Sequence, residues 1–194
     1  MLEKLDILLV GVGGQGTILA SKILVNAAAA AGYDIKMSEI HGMAQRGGSV
    51  VTHVRLGSAV SSPMVEEGRT DIILAFEQLE GLRWLNYLKP GGSMILSSQV
   101  IYPVPVLAGL AAYPENIPGY IAARVPDTLV IDALQAALQC GNAKAANVVL
   151  VGALAARLPL ERALWEQALK ETVPPRLLEV NLAAFAAGYE YRKS

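Results

Sequence analysis

The sequence predicts an α/β fold: a Rossmann-like three-layer sandwich with a mostly parallel sheet, an antiparallel hairpin and a helical C-terminal segment. Three observations carry that prediction. Residues 5–10, 71–76 and 93–97 are short runs with apolar centres, of the length expected for buried parallel strands. The first run leads through Gly11-Val12-Gly13-Gly14-Gln15-Gly16 straight into a helical pattern over 17–31. Beyond residue 128 the pattern is helical, as segments 128–139, 145–157, 160–172 and 176–188, with Pro159 and Pro174-Pro175 dividing the last three.

The glycine-rich turn comes first in the chain. Backbone N–H groups at a helix N-terminus have no internal partners, and the helix dipole adds partial positive charge, so the turn favours an anion such as a phosphate. Glycine permits the tight turn and close backbone approach. The alternative is a tight structural turn without a cofactor. Gly32 ends the helix, and residues 35–40 form a second strand, completing a strand-helix-strand unit with the right-handed parallel crossover. Over 49–56, Val50, Thr52, Val54 and Leu56 alternate with Val51, His53 and Arg55, a strand pattern; Gly57-Ser58 then reads as a hairpin turn into a strand over 60–65.

Residues 71–76 suit a central parallel strand, followed by a helix over 78–88 that Lys89-Pro90-Gly91-Gly92 stops before the strand at 93–97. Pro103, Pro105, Pro114 and Pro118 mark an irregular stretch with short helical pieces, a candidate lid or interface.

The chain has 194 residues, enough for one α/β domain spanning 1–194. A net charge of −1 with 17% charged residues provides no basic stripe, which argues against nucleic acid. The 53% hydrophobic content and mean hydropathy of +0.40 predict a substantial subunit interface, with a partner or, for the isolated chain, in a homodimer. No apolar run reaches membrane-spanning length and the N-terminus does not resemble a secretion signal, so the expected location is cytoplasmic. The single cysteine, Cys140, excludes an internal disulfide, a CxxC pair and a cluster held by four thiolates of this chain; it reads as a small apolar residue near a helix end.

A second glycine-rich segment, His41-Gly42-Met43-Ala44-Gln45-Arg46-Gly47-Gly48, gathers an imidazole, a carboxamide and a guanidinium between glycines. Arg46 can grip a phosphate or carboxylate through its planar fork, Gly47 and Gly48 let backbone N–H groups approach an anion, and His41 can orient or protonate a bound group. The same loop can instead bind a neighbouring subunit. Glu39 stands where a nicotinamide dinucleotide enzyme holds the ribose hydroxyls. Glu77 and Glu80 follow a strand's C-terminal end, where they serve a ligand or the dipole of the next helix. Asn147 is a helix cap or a buried contact to a ligand. His53 lacks metal-ligand partners at useful spacing and reads as a sheet-face or core histidine. No GxSxG elbow or triad spacing occurs.

GVGGQG at 11–16 and HGMAQRGGSVV at 41–51, with DIILAFE at 71–77, LKPGG at 88–92 and NVVLVGAL at 147–154, resemble the gamma-type subunit of 2-oxoacid:ferredoxin oxidoreductases, most closely those acting on indolepyruvate. The resemblance covers almost the whole chain. It implies oxidative decarboxylation of an aryl pyruvate, with coenzyme A accepting the acyl group and ferredoxin the electrons. It also implies a larger partner that binds thiamine diphosphate with magnesium and carries the iron–sulfur clusters. The chain itself lacks a GDG segment followed by asparagine and holds none of these cofactors alone. The expected site comprises Gly11, Gly13, Gly14, Gln15, Gly16, His41, Gln45, Arg46, Gly47, Gly48, Glu77 and Asn147, with the two loops meeting at the C-terminal sheet edge and facing the partner's cofactor or the coenzyme A path. A chain that only buttresses its partner, and a free-standing NAD(P)- or nucleotide-binding protein, are the competing readings.

Overall fold

The computed structural model describes residues 4–41 and 47–191, and for His41 only the backbone. Six strands form one sheet in the order β2-β3-β1-β4-β5-β6: β1 Leu5–Val12, β2 Asp34–His41, β3 Ser49–Gly57, β4 Thr70–Ala75, β5 Leu88–Ser97 and β6 Thr128–Ile131. The helices are α1 Thr17–Ala30, α2 Gln78–Arg83, α3 Val104–Leu107, α4 Ile117–Ala122, α5 Ala133–Gln139, α6 Ala146–Ala155, α7 Arg162–Thr172 and α8 Leu178–Tyr189. The pairings β1–β4, β4–β5 and β5–β6 are parallel, while β3 runs antiparallel to both neighbours.

Alternation along the strands sorts side chains into two cores, which is what makes the fold three layers. Ile7 and Leu9 of β1, with Ile72 and Leu74 of β4, face α1, α5, α6, α7 and α8. Leu8, Val10, Ile73 and Ala75 face the opposite way, onto Leu79 and Leu82 of α2 and Ile117 and Ile121 of α4. In the larger core α6 is buried from Asn147 to Ala155, and it meets α8 at paired glycines. A Cβ on Gly152 would overlap the Phe185 carbonyl, and one on Gly188 the Val149 carbonyl, so only glycine permits this approach.

The structure corrects four details of the sequence reading. First, β2 does not lie beside β1: β3 separates them, pairing Val12 with Ser49 on one side and His41 with Val50 on the other. Second, the antiparallel portion is therefore β2–β3–β1, and residues 60–65 form no strand. With both edges of β3 occupied, no edge is open for that hairpin; the segment is pinned by Val60 N–H to Asp34 (2.7 Å) and by Arg55 to the Met64 carbonyl (3.0 Å).

Third, residues 128–131 are a strand, β6, and the helix begins only at Ala133, where the Asp132 side chain accepts from Gln135 N–H at 2.9 Å. Fourth, the helix after β4 stops at Arg83 and gives way to a 3₁₀ turn, Leu85–Tyr87. Lys89-Pro90-Gly91-Gly92 then belongs to β5, in a bulge where pairing steps from Thr70↔Leu88 to Ile72↔Ser93.

His53 is 1% exposed in β3, edge-on to the rings of Trp84 and Tyr87, and its Nδ1 accepts the Val65 N–H at 3.2 Å. Burial holds its pKa below the ordinary 6.5, so the folded ring stays neutral where the unfolded one takes up a proton. A depressed pKa contributes stability above pH 6.5 that is lost as pH falls toward the folded value. Denaturant midpoints should therefore fall between pH 7 and 5.5 in the wild type, and fall less in His53→Phe; equal slopes would contradict this role.

Candidate functional site

At the C-terminal ends of the parallel strands, where open α/β sheets bind ligands, lies a cleft of about 640 Å³. The turn after β1 (Gly13 to Gly16) forms one wall, Phe76 and Ser97 the floor, Gln99 and Ile101 a second wall, and Lys144 and Asn147 at the start of α6 the third.

The turn owes its shape to left-handed backbone and to one carboxamide. Gly14 (φ 104) and Gly16 (φ 80) hold conformations that side chains disfavour. A Cβ on Gly16 would also meet Asn147 Nδ2 at 2.5 Å, and one on Gly11 would meet Gln15 Oε1 at 2.9 Å. Gln15 folds back into the turn: Oε1 accepts Val12 N–H at 2.7 Å, and Nε2 donates to the Phe76 carbonyl at 2.8 Å and to Gln99 Oε1 at 3.0 Å. Its carboxamide thus ties the turn to the end of β4 and to the chain leaving β5.

The two glycine-rich segments do meet. Gly13 N–H donates to the Gly48 carbonyl at 2.8 Å and Gly47 N–H to the Gly13 carbonyl at 3.3 Å, extending the β1–β3 ladder past its last pair. The Gly47 N–H is thereby committed to the chain itself. Gln45, Arg46 and the His41 side chain lie outside the described residues.

Charge at the cleft is one-sided. The N-terminus of α1 carries no side-chain cap, α6 continues from a 3₁₀ turn capped by Asn142, and among the described lining residues Lys144 is charged and no carboxylate is present. Unpaired N–H groups and dipole ends with a nearby ammonium make a setting for an anion. Asn147, 6% exposed, donates from Nδ2 to the Gly16 carbonyl at 3.2 Å, and its buried Oδ1 has no partner among the described residues. A buried orphan acceptor is unfavourable, and a ligand donor would relieve it.

Glu77 lies outside this wall. At 1% exposure it caps α2, with Oε2 accepting Glu80 N–H at 2.9 Å and Oε1 accepting Ile101 N–H at 3.2 Å and the Tyr113 hydroxyl at 2.6 Å. Burial, with Glu77 alongside, pushes the Tyr113 hydroxyl far above its ordinary range. Glu80, raised by burial, accepts from the Ser49 hydroxyl at 2.5 Å and from Arg83 at 3.0 Å, tying α2 to the first residue of β3. Glu39 accepts the Ser21 hydroxyl at 3.2 Å from a strand that β3 separates from β1, so it does not flank the glycine turn as a ribose-holding acid would. Cys140 is half-buried at the C-terminal cap of α5.

Lys144, Ser97 and Gln99 line the cleft without having stood out in the sequence. The available signal is Asn142, which caps the turn into α6 by accepting Lys144 N–H at 3.0 Å. Among the described residues no group of three or more His, Cys, Asp or Glu is placed to hold a metal ion.

With this geometry in view, comparison with known proteins defines the class. Residues 6–191 match the Pyruvate ferredoxin/flavodoxin oxidoreductase family, and the chain belongs to it. It is 41% identical to the indolepyruvate oxidoreductase subunit IorB of Pyrococcus horikoshii over 99% of this chain and 98% of that one. It is 39% identical to the IorB of Thermococcus kodakarensis, again over 99% and 98%. The keto/oxoacid ferredoxin oxidoreductase gamma subunit of Geobacter sulfurreducens shares its fold with a TM-score of 0.73, at 26% identity over 96% of each chain. The chain is thus a subunit of an oxoacid:ferredoxin oxidoreductase, a class in which larger catalytic partners are implied, and the free-standing dinucleotide reading falls away. No helix among the described residues is long and apolar enough to cross a membrane.

Gln15→Glu would set a carboxylate oxygen against two acceptors, so it should lower unfolding free energy by about 2 kcal/mol. Gln135→Glu, exposed in the first turn of α5, should cost nothing. Urea denaturation of the two variants checks this, and equal midpoints would contradict the role given to Gln15.

Proposed function

We propose that the chain, acting as one gamma-type domain over 1–194, is the small subunit of a cytoplasmic oxidoreductase that converts indolepyruvate or another aryl pyruvate to its acyl-CoA. The substrate class rests on the similarity to the indolepyruvate oxidoreductase subunits over nearly the full length. Carbon dioxide leaves, coenzyme A accepts the acyl group and ferredoxin accepts the electrons. Thiamine diphosphate, magnesium and iron–sulfur clusters reside in the larger partner, consistent with a chain that has one cysteine.

This chain's part is to bind and orient. The observation that carries it is the cleft with the uncapped N-terminus of α1, Lys144 and no carboxylate among its described lining residues, which suits the phosphates of coenzyme A. Gly14 and Gly16 present backbone N–H groups, Lys144 supplies charge, and Asn147 Oδ1 accepts a donor from the ligand. Arg46 is the residue suited by its planar fork to grip an anionic group, with Gln45 and His41 near it in sequence. No catalytic residue is assigned to this chain.

The test is steady-state kinetics of the co-expressed complex. Wild type should reduce ferredoxin in a reaction dependent on an aryl pyruvate and coenzyme A. Lys144→Glu should raise the KM for coenzyme A about tenfold, equivalent to 1.4 kcal/mol, with kcat little changed. Absence of ferredoxin reduction with every aryl pyruvate would overturn the function; an unchanged KM would overturn the cleft's role.

A further inference from the structure

The segment that follows β5 is apolar, exposed and anchored. Residues 100–113 contain no charged side chain. Val104, Leu107 and Leu110 are 76%, 71% and 82% exposed. This is not a loose loop: the buried Glu77 carboxylate holds it at both ends, through Ile101 N–H and the Tyr113 hydroxyl. Between these anchors Leu110 N–H closes on the Pro105 carbonyl at 2.8 Å, and the Tyr102 and Tyr113 rings meet edge-to-face at 5.4 Å. A buried carboxylate is costly unless its oxygens are satisfied, and here its hydrogen bonds fix a strap whose apolar side chains point to water.

Beyond the strap the surface is mixed, with the apolar Val100 and Leu134 beside Ser97, Ser98, Gln99 and Asp132. Val100 and Leu134 of α5 line a shared groove of about 330 Å³, and Leu138, one turn on, is 51% exposed. Ile101 and Leu134 also line the functional cleft. The patch therefore runs up to the cleft mouth.

We propose that the strap at 100–113, with the adjoining face of α5, is the surface on which the larger oxidoreductase subunit docks, and that docking roofs the cleft. The inference rests on the subunit reading above and adds to it the face that is used. The strap's lack of charge calls for an apolar partner surface, because a strongly acidic or basic protein finds no complement there. Contiguous apolar patches of this kind are covered in stable assemblies. Among its described lining residues the adjoining cleft has no carboxylate, histidine or cysteine, so a catalytic partner covering its mouth is suited to bring reacting groups to it. A second copy of this chain is the other occupant, which the test below separates.

The test is co-expression with the larger subunit, identified by mass, and isolation of the complex through this chain. Leu107→Glu/Leu110→Glu should keep the wild-type melting temperature as an isolated chain, yet retain at least tenfold less of the larger subunit, with ferredoxin reduction lost in proportion. Val104→Glu, a single exposed change, should weaken retention in the same direction and serves if the double variant fails to fold. Retention equal to wild type in these variants would overturn the proposal, as would an effect confined to self-association of the isolated chain. A wild-type chain that retains no larger subunit would overturn the subunit reading itself, and so separates the two failures.

Discussion

The Gln15 carboxamide ties the turn from β1 into α1 to the ends of β4 and β5, and the functional edge depends on it. Gln15 donates twice and accepts once, joining its own turn to the end of β4 and to Gln99 at the root of the strap. That arrangement needs glycine at position 11, where any Cβ would press on the carboxamide, and left-handed backbone at Gly14 and Gly16. Once the turn is fixed, Gly16 meets Asn147 of α6, and Gly13 meets Gly47 and Gly48. The glycine turn, Phe76, Gln99 and Asn147, distant in sequence, are thereby set around one cleft.

A second constraint is the insertion of β3 between β2 and β1. It removes the second parallel strand from the side of the glycine turn, and with it the position an acidic residue needs to hold a nucleoside ribose. In exchange it brings the end of the 41–48 segment against Gly13, and Ser49 against Glu80. The same glycine pattern that serves dinucleotides elsewhere is here an edge shaped by an antiparallel neighbour. A fold that keeps an anion-friendly edge and exposes an apolar strap is suited to work inside an assembly.

What the sequence discloses follows the range of the interactions. The strand at 5–10, the glycine turn and α1 are legible because each is specified by neighbours within a few residues. The glycine and HGMAQRGG segments are also legible as partners, since strand-end glycines collect at one sheet edge. The hairpin after Gly57 is misread because an open edge is a property of the whole sheet, and β3 has none. β6 is hidden because Thr-Leu-Val-Ile runs directly into a capped helix, so apolar spacing carries across the boundary at Asp132. Missing β6 also hides Lys144, which reaches the cleft only when α5 and α6 follow a strand at the sheet's edge. Glu77 reads from sequence as a helix-start carboxylate at a ligand-binding edge; its bonds to Ile101 and Tyr113 are long-range and leave no local trace.

Amide hydrogen exchange of the assembled complex, with and without coenzyme A, tests the central claim most directly: that the cleft between the glycine turn and α6 binds this co-substrate in the working assembly. Added protection is expected at residues 13–19 and 144–150 when coenzyme A is bound. Unchanged exchange in both segments, in a complex that turns over and is saturated with coenzyme A, would contradict it.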